Sequence, residues 1–191
     1  MYYFDHSATT PVHPEVSELM GHIQSTTYGN PSSMYSAGQK AKGIIEKSRR
    51  QVAESISAEP EQIIFTSGGT ESNNQVIWYI LQNQKKHVVS NLIEHPAIIK
   101  VLEFLNPFGL SHTLVETNNN GIISIEDIMN AITPQTSLVS LMLANNEIGS
   151  IQPVKSIVDM VHDQNIMVHT DAVQCMGKME INIADMGVDF L

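Results

Sequence analysis

The sequence predicts an α/β fold built on a mostly parallel sheet. Short runs rich in β-branched residues alternate along the chain with helical patterns of about ten to fifteen residues. Connections of that length permit parallel pairing, whereas neighbouring antiparallel strands need only a tight turn. One run, SLVSLML at 137–143, is apolar almost without alternation, as expected of a strand covered on both faces.

Taken in order, residues 14–27 follow Pro14 and predict a helix, and YGNPSS at 28–33 is loop chemistry, with Gly, Asn and Pro together. From 36 to 57 the residues Ala41, Ile44, Ile45, Ser48, Val52 and Ile56 fall on one helical face, and Pro60 closes the segment. Residues 62–66, QIIFT, predict a buried strand ahead of a helix over 70–83. HVVSN at 87–91 predicts the next strand, and 96–106 a helix with Pro96 in its first turn. A strand near 111–116 leads into the NNNG turn, and 123–132 predicts a short helix. The apolar run at 137–143 is the next strand, followed by a helix over 153–164, a strand over 166–171, and the start of another in VDFL at 188–191. Helices on both faces of such a sheet leave ligands at the carboxyl ends of the strands.

Composition narrows the function classes. Across 191 residues, 10 Lys and Arg against 20 Asp and Glu give a net charge of −10, which repels phosphate backbones and argues against nucleic acid as a partner. One cysteine supports neither a disulfide framework nor a multi-cysteine zinc site, and no metal centre is expected. The same cysteine count fits a reducing compartment, so a cytoplasmic location is expected. The N-terminus reads MYYFDHSATTP, without the basic and apolar regions of a signal peptide. No apolar run approaches the ~18 residues of a membrane span, so no membrane partner is expected.

Four strand ends carry chemistry. In FTSGGTESNN (65–74), Gly68 and Gly69 let the backbone approach a ligand, and the helix opening at Thr70 points free N–H groups and its positive dipole end at the same place. That combination is a phosphate cup, although it matches neither a Walker loop nor GxGxxG, and a plain Gly turn capped by Thr70 is the alternative. In SNLIEHPAI (90–98), His95 stands between a strand and a helix, where its ring can stack on an aromatic ligand or simply cap the helix. In LMLANNEIG (141–149), the Asn amides can bond a carboxylate or hydroxyl, or satisfy their own turn. In IMVHTDAVQ (166–174), Asp171 ends a β-branched strand, and a buried carboxylate needs a partner; Gln174 lies three residues on, and a helix cap by Asp171 is the alternative. Phosphate cup, stacking imidazole, amide donor and carboxylate together suit pyridoxal 5′-phosphate (PLP), whose protonated ring nitrogen the carboxylate would hold.

At these residues the sequence resembles the cysteine desulfurases of the NifS/IscS type, members of the class V aminotransferase group of fold-type I PLP enzymes. FDHSATTP (4–11), YGNPSS (28–33), FTSGGTESNN (65–74), EHPA (94–97), NNEIG (145–149) with Gln152, and HTDAVQCMGK (169–178) carry the resemblance, in family order. It implies a three-layer α/β/α fold, with residues 1–13 as an N-terminal arm near the substrate and 14–191 as a partial PLP-binding large domain, truncated before the sheet and small domain are complete. It further implies that Gly69 and Thr70 hold the PLP phosphate, that His95 stacks on the ring as the catalytic residue, and that Asp171 pairs with the ring nitrogen. Gln174 then bonds the ring hydroxyl, Asn146 places the substrate carboxylate, and Ala8 and Thr9 lie by the substrate.

The reaction implied converts L-cysteine to L-alanine and passes the sulfur to an enzyme cysteine as a persulfide. From there the sulfur goes to acceptor or scaffold proteins for iron–sulfur cluster or thio-cofactor synthesis. The resemblance implies a homodimer at full length. The family's cofactor-linking lysine and its sulfur-accepting cysteine fall beyond the stretch present, so the chain alone is expected to be inactive. Cys175 is expected to be core packing rather than that acceptor. Tyr35 stands where the family usually has His. A selenocysteine lyase, another class V aminotransferase, or a non-catalytic PLP-fold remnant are the competing readings.

Overall fold

The computed structural model describes residues 2–191. The chain divides into two compact units, the first ending at Ile64 and the second running Phe65–Leu191.

The first unit holds two helices, α1 (Pro14–Thr26) and α2 (Ser36–Ser55). Pro14 sits in the first turn of α1, where its missing N–H leaves no bond unmade. The loop between the helices folds tightly onto the start of α2. A Cβ on Gly29 would stand 2.3 Å from the Ala37 carbonyl oxygen, and one on Gly38 2.5 Å from that of Ser33, so glycine is required at both positions. The Asn30 carboxamide oxygen accepts from the Ser32 amide at 2.9 Å and shapes the turn. On α2 the buried positions are Gly38, Ala41 and Ala53, with Ile56 just beyond. Val52, expected on that face, is exposed, because α2 turns Ala53 inward instead.

The expected strand at 62–66 does not form. Pro60–Gln62 is a 3₁₀ turn closed by the Gln62 side chain, whose Oε1 accepts from the Glu59 amide at 2.8 Å. Residues 63–66 join no ladder of the described sheet, and the Ile63 carbonyl accepts instead from the Arg49 guanidinium. A β-branched run is a strand only when a neighbour takes its backbone bonds.

The second unit is built on a four-stranded, all-parallel sheet: β1 (His87–Asn91), β2 (Ser111–Val115), β3 (Thr136–Ser140) and β4 (Met167–His169), in the order β2-β1-β3-β4. Helices α3 (Gly69–Leu81) and α4 (Pro96–Leu105) pack on one another and bury Ile77, Ile80, Ile98, Val101, Leu102 and Leu105 against Val88 and Leu138. Helices α5 (Ile125–Ala131) and α6 (Val154–Val161) pack together and against β2 and β4 respectively. Every residue of β1 and β3 is buried, so both faces of the sheet centre are covered, which is the three-layer arrangement the sequence predicts. A four-residue α7 (Ile183–Met186) packs on α6. The VDFL segment makes only a bridge rather than a full strand, with Phe190 beside His169.

This strand order fixes where a ligand belongs. From β1 the chain steps outward to β2, then returns across β1 to place β3 on its other side. The switch point is therefore the crevice between the carboxyl ends of β1 and β3.

Candidate active site

Beyond β3 and β4 the parallel pairing continues. The Leu141 amide donates to the His169 carbonyl at 3.0 Å, and the Leu143 amide to the Asp171 carbonyl at 2.9 Å. These bonds set Asp171 level with the end of the apolar run. One Asp171 carboxylate oxygen accepts from the buried Asn73 amide at 2.7 Å, and the other from the Val173 amide at 3.0 Å. Asp171 thus caps its own turn and is tied to the opening of α3; no helix follows it directly.

Helix α3 begins at Gly69, one residue earlier than expected. The Gly68 carbonyl takes the first helical bonds, from Glu71 and Ser72, so Thr70 lies inside the first turn and is not the cap. The amides of Gly69 and Thr70 have no intrahelical acceptor at that position. The preceding loop is held from within: Ser67 donates to the Glu71 carboxylate through its amide at 2.7 Å and its hydroxyl at 2.6 Å. The Ser67 hydroxyl, then its amide, hold the Glu71 carboxyl below its ordinary pKa. Gly69 passes close to the Asp171 turn, since a Cβ there would stand 3.0 Å from Val173 Cγ2.

His95 ends the connection from β1 and caps α4, its Nδ1 accepting from the Ala97 amide at 3.1 Å. Sequence left stacking and capping as alternatives, but capping engages only the ring edge and leaves the faces of the imidazole open. Thr70 and His95 line one cavity of about 490 Å³ with Asn74, Trp78, Lys100 and Phe104.

The other expected residues are less closely gathered. Asn146 is half-buried and donates to its neighbour Glu147 at 2.8 Å. The buried member of that pair is Asn145, which donates to the Ile93 carbonyl at 2.8 Å and whose oxygen accepts from the Glu147 and Ile148 amides. Gln174 is half-buried and accepts from Lys178 Nζ at 2.9 Å. Ala8 and Thr9 belong to the first unit, where both amides donate to the Asp5 carbonyl. Cys175 is 1% exposed, and burial, then the Asp171 charge, push its thiol pKa up, so it packs as a small apolar side chain.

Three residues to which the sequence assigned no individual role hold the rim together. Asn73 orients Asp171. Asn145 ties the loop after β3 to the connection after β1. Glu94 spans the switch-point crevice, its Oε1 accepting from Asn91 Nδ2 at 2.7 Å and from the Met142 amide at 2.6 Å. Burial pushes the Glu94 pKa up to about 8, and the Asp171 charge adds to that rise. Under the rim, Ser140 Oγ meets His169 Nδ1 at 2.9 Å, and burial lowers the His169 pKa to about 4. The signal for Asn73 was its spacing: four residues after Gly69, it lies on the same helical face.

Among the described residues, no three His, Cys, Asp or Glu side chains gather as a metal site, and no helix is long and apolar enough to cross a membrane.

The family model "Aminotransferase class-V" matches residues 2–191. A cysteine desulfurase IscS of Clostridium botulinum (strain Hall) is 44% identical over 99% of this chain and 48% of its own length. A selenocysteine lyase of Bos taurus is 40% identical over 99% of this chain and 51% of its own length. Among solved structures, SspA in complex with cysteine superposes with a TM-score of 0.93 at 35% identity, covering 99% of this chain and 55% of SspA. A NifS-like protein superposes at 0.92 with 34% identity, covering 98% of this chain and 54% of that protein. The chain therefore spans about half the length of the relatives it matches.

Proposed function

Because the chain belongs to the class-V aminotransferase family, we propose that it is the cofactor-cradling part of a PLP-dependent cysteine desulfurase. The observation that carries this reading is Asp171. Its carboxylate is held between Asn73 and the Val173 amide at the carboxyl end of β4, beside the opening of α3. The donor set fits the cofactor: open amides and a hydroxyl for a phosphate, an imidazole face for a ring, and a fixed carboxylate for a cationic nitrogen.

When bound, PLP supplies an electron sink for charge developing at the substrate Cα. In this reading the Gly69 and Thr70 amides and the Thr70 hydroxyl hold the phosphate. His95 would stack on the ring through its open imidazole face. Asp171 keeps the proton on the ring nitrogen, which keeps the sink strong. Gln174 bonds the ring hydroxyl, Asn146 orients the substrate carboxylate, and Ala8 and Thr9 border the substrate. The substrate is L-cysteine, whose sulfur passes to a protein cysteine and on to acceptor proteins. The covalent steps are assigned to no lysine or cysteine within residues 2–191.

PLP titrated into the purified chain and followed by absorbance tests the cradle. Thr70→Ala should weaken binding roughly fivefold, for one hydrogen bond of about 1 kcal/mol. Asp171→Asn should weaken it roughly tenfold or more, for a charged partner. Unchanged affinity in both variants removes the reading. The 40% identity to a selenocysteine lyase favours a second reading, in which selenocysteine is the substrate. Comparing alanine release from cysteine and from selenocysteine by the full-length enzyme separates the two, and a 2-oxo acid that keeps its sulfur (3-mercaptopyruvate from cysteine) would indicate an aminotransferase instead.

A further inference from the structure

The bond from the Ala97 amide to Nδ1 sets the His95 ring on α4, but the backbone that delivers it belongs to the connection 92–95 between β1 and α4. That connection is tied at each step. The Leu92 amide donates to the Val115 carbonyl at 3.1 Å, and the Ile93 amide to Asn91 Oδ1 at 2.9 Å. The Ile93 carbonyl accepts from Asn145 Nδ2 at 2.8 Å. Glu94, the residue immediately before His95, adds a side-chain tie. Its Oε1 accepts from Asn91 Nδ2 at 2.7 Å and from the Met142 amide at 2.6 Å. One oxygen thus joins the end of β1 to the chain leaving β3, across the switch-point crevice.

The two carboxyl oxygens sit in different surroundings. Oε1 has two donors, which matches the two lone pairs of a carbonyl oxygen. Oε2 is buried with no partner, in a side chain whose residue is 7% exposed. A negative charge on Oε2 would have neither water nor a donor to stabilise it, whereas a neutral hydroxyl there is far less costly. Burial pushes the Glu94 pKa up to about 8, in the same sense. The surroundings therefore suit a carboxylic acid, with Oε1 as its carbonyl and Oε2 as its O–H.

We propose that Glu94 is a positioning residue for His95: as a neutral acid it braces the 92–95 connection against the segment after β3 and so sets where the imidazole face is presented. Glu94 itself touches no cofactor. The segment it grips also carries Asn145, whose oxygen accepts from the Glu147 and Ile148 amides, so one brace joins the loops of His95 and Asn146. The inference rests on the reading of His95 as the residue that stacks on the ring.

The test uses the full-length enzyme with Glu94→Gln, Glu94→Ala and Glu94→Asp. Two measurements are made on each: PLP affinity of the apo form by absorbance, and hydrogen exchange over residues 92–97 without cofactor, by mass spectrometry. Gln keeps the carbonyl at its full reach and replaces the O–H with a neutral N–H, so it should match the wild type within about twofold in both. Ala removes the brace and Asp shortens it. Each should weaken PLP binding by roughly fivefold or more and speed exchange over 92–97. Should Glu94→Ala fail to fold, the contrast between Gln and Asp carries the result, since Asp keeps the acid and loses the reach. Ile128→Ala, in a buried position on α5, is the control for general loosening and should leave both readings at the wild-type level. Wild-type behaviour of both Ala and Asp overturns the positioning role. A Gln variant as impaired as Ala overturns the neutral acid, because an anion would then be required. Equal losses in Ile128→Ala overturn the specific role of Glu94. If the wild-type apo form binds no PLP, the functional reading falls by itself, and the exchange measurement still decides whether Glu94 braces the connection.

Discussion

Helices α1 and α4 carry the same apolar spacing and meet opposite fates. On α4, Ile98, Val101, Leu102 and Leu105 fall at i, i+3, i+4 and i+7, and all four are buried. On α1, Val16, Leu19, Met20 and Ile23 repeat that spacing, yet no residue of the helix is buried; Leu19 is 57% exposed and Met20 52%. The difference lies in what each helix faces. Leu102 belongs to a cluster joining α3, α4, β1 and β3, whereas the described residues of the first unit form no sheet. Periodicity therefore declares which face of a helix is apolar; whether that face is covered depends on residues elsewhere in the chain.

The largest test of this contrast is Leu102→Ala. It should cost about 2–5 kcal/mol, because the cavity opens inside a closed cluster, and urea unfolding will measure it. A loss below about 1 kcal/mol would show that the cluster is looser than its burial indicates.

In the second unit, Glu94 and His169 should make stability proton-linked. The two act in opposite directions. The folded-state pKa of His169 lies below its ordinary 6.5, at about 4, so its contribution is present above 6.5 and lost as pH falls through 4. The folded-state pKa of Glu94 lies above its ordinary 4.5, at about 8, so its contribution is present below 4.5 and lost as pH rises through 8. Amide hydrogen exchange in residues 65–191, corrected for the intrinsic pH dependence, should report both trends. Glu94→Gln should flatten the decline toward pH 8 while leaving the loss in acid. A decline toward pH 8 unchanged in that variant would sink this assignment.

The smallest effect belongs to the open face. Leu19→Ala should change the unfolding free energy by no more than about 0.5 kcal/mol, since the side chain is already in water. A loss comparable to that at Leu102 would mean that the α1 face is covered in solution.

Legibility in the sequence followed the same division between local pattern and distant partner. Helix α4 and strands β1 and β3 could be read directly, because Pro96, a 3.6-residue period and unbroken apolar runs are local signals. Residues 62–66 look equally strand-like, but a strand also requires a neighbour, which no local pattern supplies. Helix α7 has four residues, too few for any period to show. Within the candidate site, strand ends pointed to Thr70, His95 and Asp171, although no strand of the described sheet precedes Thr70. Asn73 and Glu94 escaped notice because their importance lies in bonds to residues far along the chain, Asp171 and Met142. The part of Thr70 in the helix differs from the reading, since Gly68 and not Thr70 takes the cap position.

The bond between Asn73 and Asp171 joins residues 98 apart in the chain. A ribosome adding about 5–20 residues per second needs roughly 5–20 s to travel from one to the other. For that interval Asn73 can only be solvated by water or bonded to passing neighbours. Strand β1, central in the finished sheet, is likewise made before either of its flanking strands. The tie between the opening of α3 and Asp171 therefore forms only after all the intervening strands and helices have been made. Over that interval the parallel pairing beyond β3 and β4, which sets Asp171 in place, has not yet formed.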